Sequence, residues 1–124
     1  MIVIDTSVLI DVLRGNDPAW AALREAAQRA PVAASVLTRV ELLAGMRSAE
    51  RSQVRGLIDR FRWIDVDSSV AQRAGELARS YRRSHPGIDV VDYVIAATTE
   101  VAGAELWTRN VKHFPMFEGL RPPY

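Results

Sequence analysis

The sequence predicts an α/β domain: a central, mostly parallel sheet with helices on both faces. Three observations carry this. Short apolar runs of strand length alternate with helical patterns, the arrangement that builds parallel sheets. The first run, Met1-Ile2-Val3-Ile4, is apolar at successive positions, as a strand buried on both faces must be. The chain has 124 residues, enough for one domain spanning 1–124 whose core does without disulfides.

Taken in order, Ile2 to Ile4 form the first strand, and Asp5 stands at its carboxyl end, where open α/β sheets place their chemistry. Val8, Leu9, Val12 and Leu13 give Thr6 to Arg14 a helical period, which Gly15-Asn16 stops. Asp17 as cap and Pro18 in the first turn restart a helix through Trp20, Leu23, Ala26 and Ala27, ending before Pro31. Val32-Ala33-Ala34 is the next strand. Ser35 or Thr38 opens the following helix, with Val40, Leu43 and Ala44 on its apolar face and Gly45 near its end. Glu50 to Arg62 is a helix with Val54, Leu57, Ile58 and Phe61 inward, and Trp63 to Val66 a strand. Asp67-Ser68-Ser69 caps a helix through Ala71, Ala74, Leu77, Ala78 and Tyr81, and Ser69-x-x-Gln72 fits a capping box. After the turn at His85-Pro86-Gly87, Asp89 to Val101 is a buried helix that Gly103 ends. Glu105 to Thr108 is the last strand, and the proline-bearing tail is irregular.

Composition excludes several chemistries. There is no cysteine, so disulfides, thiolate metal sites and cysteine nucleophiles are out. A reducing compartment is compatible with that. Asp5 and Asp11 interrupt the N-terminal apolar stretch, which argues against a signal peptide. No apolar run is long enough to span a bilayer. The expected location is therefore cytoplasmic, with secretion left open. The net charge of +1 is too small to argue nucleic-acid binding by itself. Lys112 is the only lysine; arginine suits bidentate phosphate contacts, but arginine-rich codon usage explains the bias more simply.

Four positions fall at the carboxyl edge of the expected sheet: Asp5, Glu41, Asp92 and Asn110. Each has a plain explanation. Asp5 is placed to cap the next helix. Glu41 completes a capping box with Thr38, unless Ser35 is the cap. Asp92 follows Asp89 by three residues and suits a helix start. Asn110 after Thr108-Arg109 is ordinary turn chemistry. Their coincidence at one edge is harder to explain plainly. Clustered carboxylates repel, and a divalent cation removes that conflict. All-oxygen ligands suit Mg²⁺ or Mn²⁺ rather than zinc, and a hard cation between carboxylates and phosphate is an apparatus for phosphoryl chemistry.

Competing chemistries lack their residues. No glycine-rich phosphate loop follows the first strand, and no Gly-x-Ser-x-Gly elbow is present. An aspartyl phosphatase would carry Asp-x-Asp, where Ser7 stands instead. His85 lies in a turn and His113 near the tail, neither with zinc-ligand spacing. His85 is expected on the surface, and His113 in packing or against RNA.

The stretches Ile2-Val3-Ile4-Asp5-Thr6-Ser7-Val8-Leu9-Ile10, Val40-Glu41-Leu42-Leu43-Ala44-Gly45, Asp92-Tyr93-Val94-Ile95-Ala96-Ala97-Thr98 and Leu106-Trp107-Thr108-Arg109-Asn110, in that order, resemble the PIN domain, and more narrowly the VapC-type toxin ribonucleases. The resemblance implies a three-layer α/β/α sandwich and RNA cleavage dependent on Mg²⁺ or Mn²⁺. It implies that Asp5, Glu41 and Asp92 bind the metal, with Asp89 a nearby second candidate. Thr6 or Thr108 is placed to orient a ligand or water, although Thr6 equally suits a helix cap. Asn110 stands where many PIN domains carry a fourth acid, which leaves the cluster one charge short and a second metal in question. The implied reaction leaves 5′-phosphate and 3′-hydroxyl ends on tRNA or rRNA. The resemblance also implies a homodimer and a VapB-type antitoxin whose segment lies along a groove; Trp20, Leu23, Leu57 and Phe61 suit such a groove, though core packing explains each singly.

Arg47, Arg51 and Arg55 recur every fourth residue as a basic stripe that either tracks RNA phosphates or pairs with Glu50 and Asp59 on a solvated face. Two rival functions remain: a non-catalytic PIN-like module that binds RNA or protein, and a DNA-directed nuclease.

Overall fold

The computed structural model describes residues 1–124. Four strands, β1 (Ile2–Ile4), β2 (Val32–Ser35), β3 (Arg62–Ile64) and β4 (Glu105–Trp107), form one sheet in the order β3-β2-β1-β4. Every pairing is parallel, with Ile2 opposite Val32 and Ile4 opposite Trp107. The chain moves outward from β1 to β2 to β3, then returns to the far side of β1 with β4. β1 is thus the strand where the order reverses, and the crevice beyond its carboxyl end is where ligands bind in open α/β sheets.

Alternation along β1 builds the three expected layers. Ile2 and Ile4 face one core with Val8, Leu9, Leu23 and Leu57, under α1 (Thr6–Leu13), α2 (Asp17–Arg29), α3 (Val36–Gly45) and α4 (Arg51–Arg60). Val3 faces the other core with Val70, Leu77, Ile95 and Phe114, under α5 (Ser68–Tyr81) and α6 (Val90–Val101). All three β1 residues are buried, as a strand covered on both faces requires.

Several local expectations need correction. Asn16, not Asp17, caps α2: Gly15 turns the chain at φ +80°, and the Asn16 side chain accepts from the Ala19 N–H at 2.9 Å. The buried side of α3 is Thr38 and Leu42, while Val40, Leu43 and Ala44 are exposed. The helix presents Thr38 to the site, and that rotation turns Val40 and Leu43 outward. A 3₁₀ turn at Ser48–Glu50 precedes α4, because the Glu50 carboxylate accepts from the Arg47 N–H at 2.8 Å. Arg47 therefore lies outside the helix and the expected stripe shrinks to Arg51 and Arg55. Glu50 pairs with Arg14, and no ion pair joins Arg51 or Arg55 to Asp59. β3 starts at Arg62, ending α4 earlier than expected, and stops at Ile64. Asp67 caps α5 through the Val70 N–H, which supersedes the Ser69–Gln72 box. β4 ends at Trp107, one residue short of Thr108. The tail includes a 3₁₀ turn at Val111–His113, and Phe114 after it is fully buried.

Candidate active site

Asp5 leaves β1 with its N–H donating to the Trp107 carbonyl at 2.8 Å, so the sheet's pairing continues to its backbone. Asp5 is 4% exposed, and its side chain makes no helix cap. Instead Oδ2 accepts from Ser7 Oγ and Thr108 Oγ1, each at 2.7 Å. Thr108 is fully buried, and its oxygen accepts from the Asn110 N–H at 2.9 Å. Ser7 in turn accepts from the Arg109 N–H at 3.1 Å. The plain capping explanation of Asp5 does not hold.

Ser35 caps α3 by accepting from the Leu37 N–H at 3.2 Å, which puts Glu41 in the second turn and leaves the Thr38–Glu41 capping box unformed. Glu41 Oε1 accepts a 2.5 Å hydrogen bond from Thr6 Oγ1, which also lies 3.2 Å from the buried Thr38 hydroxyl. Burial raises the Glu41 pKa, and the Asp5 and Asp89 charges add to this against the Thr6 hydrogen bond.

Asp89 and Asp92 open α6 with a reciprocal capping box: Asp89 Oδ1 accepts from the Asp92 N–H at 3.1 Å, and Asp92 Oδ2 from the Asp89 N–H at 3.3 Å. The plain explanation of Asp92 is therefore realised, and it coexists with a place in the cluster. His113 Nδ1 stands 3.1 Å from Asp92 Oδ2. Burial pushes the Asp92 carboxyl up to about 6, with repulsion from Asp89 and Asp5 added and with the Asp89 N–H and His113 opposing.

Asp5, Thr6, Glu41, Asp89 and Asp92 line one depression of about 550 Å³. Ser7, Asp11, Arg109, Asn110 and His113 line it too. The Asn110 side chain makes no hydrogen bond to the acids; its backbone N–H donates to Thr108 Oγ1 and its carbonyl accepts from the His113 N–H. No group of three or more acidic or histidine side chains is set, as it stands, to hold a metal ion. In donor type and charge the residues fit a hard divalent cation. Asp5, Glu41 and Asp92 each make their hydrogen bonds through one oxygen, so Asp5 Oδ1, Glu41 Oε2 and Asp92 Oδ1 have no protein partner. None of the three is a buried unsatisfied atom, so all reach solvent. Burial is the main cause of the raised pKa values of Glu41 and Asp92, with repulsion between neighbouring acids added, and a bound cation would favour the ionised form of both.

Of the remaining expectations, His85 is half-buried, with Nδ1 2.8 Å from Ser84 Oγ, outside the site. His113, expected in packing or against RNA, belongs to the site through Asp92. Trp20, Leu23, Leu57 and Phe61 do come together, lining a second depression of about 280 Å³ with Arg24 and Arg60. Leu23 and Leu57 are buried and Trp20 is 39% exposed, so core packing does not account for Trp20. Sequence reasoning missed Ser7, Asp11 and Arg109 as site residues. Ser7 and Asp11 had a readable signal: four positions apart, they share a helix face.

Comparison with known proteins adds kinship. Residues 2–115 match the PIN domain family. Over 125 residues the chain is 47% identical to Ribonuclease VapC19 of Mycobacterium tuberculosis, covering 100% of each. It is 48% identical to Ribonuclease VapC10 of the same organism, covering 100% of this chain and 93% of that one. A toxin-antitoxin complex from Klebsiella pneumoniae contains a chain that superposes with TM-score 0.83 at 28% identity, covering 100% of this chain and 98% of the other. With the fold, the order of the motifs and these relatives in agreement, the chain belongs to the PIN domain family.

Proposed function

We propose that this protein is a VapC-type endoribonuclease, dependent on Mg²⁺ or Mn²⁺, and the toxin of a toxin–antitoxin pair. The carrying observation is that three carboxylates from separate segments, Asp5, Glu41 and Asp92, meet in one depression with one oxygen tied and one free. The ribonuclease names of relatives at 47% and 48% identity support the reading.

In this reading Asp5, Glu41 and Asp92 hold the ion. A divalent cation there would supply Lewis-acid stabilisation of a phosphodiester and a more acidic water. The chain's own groups do the positioning. Ser7 and Thr108 fix the Asp5 carboxylate, Thr6 fixes Glu41, and the α6 capping box fixes Asp92. Such outer contacts orient ligands that would otherwise rotate. Hydrolysis adds water across the P–O3′ bond of an RNA, tRNA or rRNA in the first instance, leaving 5′-phosphate and 3′-hydroxyl ends. Acids kept clustered despite their repulsion favour an enzyme over a binding module.

The partner expected is a VapB-type antitoxin, with the apolar depression around Trp20 and Phe61 as its seat. The relevant neighbour is the Klebsiella pneumoniae protein, which is described as a toxin-antitoxin complex. Val40 and Leu43, exposed on α3 at 58% and 46%, offer an apolar surface to a second copy in a homodimer. No helix is long and apolar enough to cross a membrane.

The test is a substrate panel. Structured tRNA, rRNA fragments and single- and double-stranded DNA are incubated with the protein in Mg²⁺, in Mn²⁺ and in EDTA, and product ends are mapped. Metal-dependent cleavage confined to RNA supports the reading. Cleavage of DNA alone supports a DNA-directed nuclease, and binding without cleavage supports the non-catalytic module.

A further inference from the structure

We propose that Arg79, Arg82 and Arg83, at the C-terminal end of α5, form a second phosphate-binding surface that holds the backbone of an RNA substrate beyond the acidic depression. The choice of RNA as occupant rests on the ribonuclease reading above, and the surface gives that reading a grip on RNA away from the reacting bond.

The three arginines are exposed, and with Gly75 and Ala78 they line one concavity of about 930 Å³. None of them forms an ion pair, and Glu76, the only acid in α5, pairs with none of them. The buried stripe of the helix is Val70, Ala74 and Leu77, so the arginines stand on a face turned to solvent. A helix dipole favours a cation in the last turn, yet it does not explain why three are gathered without an acid among them. Like charges this close repel and draw in anions. Gly75 leaves the helix open between them: no atom lies within 4 Å of the place its Cβ would take.

Placement ties this surface to the acids. α5 and α6 run antiparallel: Arg73 near the start of α5 donates to Glu100 near the end of α6, Nε to Oε2 at 2.5 Å. The end of α5 therefore lies beside the start of α6, where Asp89 and Asp92 stand. Burial raises the Tyr93 pKa, the Arg82 charge opposes this and the Asp92 charge adds to it, so one phenol lies in the field of both. Between Arg83 and Asp89 the chain turns on itself, with the His85 N–H on the Tyr81 carbonyl and the Ile88 N–H on the His85 carbonyl. Even fully extended, those six residues span about 20 Å at most, so an RNA seated at the acids reaches the arginines within a few nucleotides. RNA fits the concavity better than a protein does. Ala78 is its one apolar residue, whereas a protein interface has an apolar centre. The apolar depression of Leu23 and Leu57 belongs to the layer on the other side of the sheet. Unpaired guanidinium groups suit two-pronged contacts with phosphate oxygens, whatever the bases.

The test measures RNA binding separately from cleavage. Binding of a labelled tRNA transcript is followed by fluorescence anisotropy in EDTA across a KCl series, with thermal melts to check folding. In EDTA the acids hold no cation, so the attraction comes from basic groups. The proteins are wild type, a triple variant with Arg79→Gln, Arg82→Gln and Arg83→Gln, the same triple to Lys, Gly75→Glu and Gly75→Ala. Loss of three phosphate contacts in the glutamine triple lowers the salt slope by about two to three and weakens binding at low salt by at least about tenfold. The lysine triple keeps the slope, since the charge sets it. Gly75→Glu puts a carboxylate four residues before Arg79 and weakens binding more than Gly75→Ala does. In Mg²⁺ the glutamine triple raises KM on tRNA more than it lowers kcat, and its defect shrinks on a short oligoribonucleotide that carries only the mapped cleavage site. Wild-type affinity and salt slope in the glutamine triple overturn this surface; if the wild type cleaves RNA, only this inference fails. A glutamine triple that keeps its RNA affinity but loses binding of a glutamate-rich peptide also overturns it and assigns the face to a protein. A wild type that binds RNA through these arginines but cuts none overturns the ribonuclease reading and not the surface. A wild type that neither binds nor cleaves RNA overturns both.

Discussion

Thr108 and Asp5 lie 103 positions apart in the chain, and their side-chain oxygens stand 2.7 Å apart. The parallel register of β1 and β4 brings this about. Ile4 pairs with Trp107, so Asp5 and Thr108, each one residue beyond its strand, meet at the sheet's edge. The bond leaves Asp5 Oδ2 tied and Oδ1 free. Thr108→Val keeps the shape and removes both the bond to Asp5 and the acceptor for the Asn110 N–H. Loss of a buried hydrogen bond to a charged group costs about 1.5–3 kcal/mol of stability. Activity should fall roughly 10- to 100-fold, the usual range for a group that orients a metal ligand, with a higher Mg²⁺ requirement. Thr108→Ser should recover most of both. Chemical denaturation and a Mg²⁺ titration of the cleavage rate check these outcomes.

Thr6 does the same for Glu41, but its effect should show in pH dependence. The Thr6 hydrogen bond favours the ionised Glu41 carboxylate, against the burial that raises its pKa. Removing the bond in Thr6→Val raises that pKa further. Less Glu41 is then ionised at any given acid pH, so the acid limb of the pH–rate profile moves upward. A profile superimposable on wild type would show that Glu41 ionisation does not limit the reaction.

Asp92 should trade stability for function. Its folded pKa of about 6 exceeds the ordinary 3.8, so between these values the folded state binds more protons than the unfolded. This residue's contribution is fully present below the unfolded pKa and is lost as pH rises through the folded one. Asp92→Asn removes that loss, so the metal-free variant should be more stable than wild type at pH 7, by about 1 kcal/mol after solvent screening. The gap should close near pH 4. Mg²⁺ should raise the melting temperature of wild type and not of the variant, by the linkage of ligand binding to folding. Thermal melts at both pH values, with and without Mg²⁺, give the comparison.

The parts of the molecule set by periodicity were readable from sequence. Ile2, Val3 and Ile4 announce a strand covered on both faces, and Asp5 follows as an acid at its end. Ser35 as the cap of α3, already a named option, decides the status of Glu41. What escaped depends on contacts between distant segments. The 3₁₀ turn at Val111–His113 has no apolar period to betray it, so His113 could not be placed beside Asp92. Asn16 took the capping role from Asp17 because the positive φ of Gly15 set where the helix began. Val40 and Leu43 look like a core face, yet α3 is turned to give Thr38 to the site. Local pattern names the elements; which face of each is buried depends on what lies across from it.

The most direct measurement is the single-turnover rate of RNA cleavage by Asp5→Asn in saturating Mg²⁺, beside wild type, with folding confirmed by thermal melts. Asn keeps the size of the side chain and can still accept from Thr108 and Ser7, so the substitution removes chiefly the charge. If Asp5, Glu41 and Asp92 form the cation site of a ribonuclease, the rate should fall at least about a hundredfold, as expected for a first ligand rather than a supporting group. Cleavage by Asp5→Asn at the wild-type rate would contradict the account.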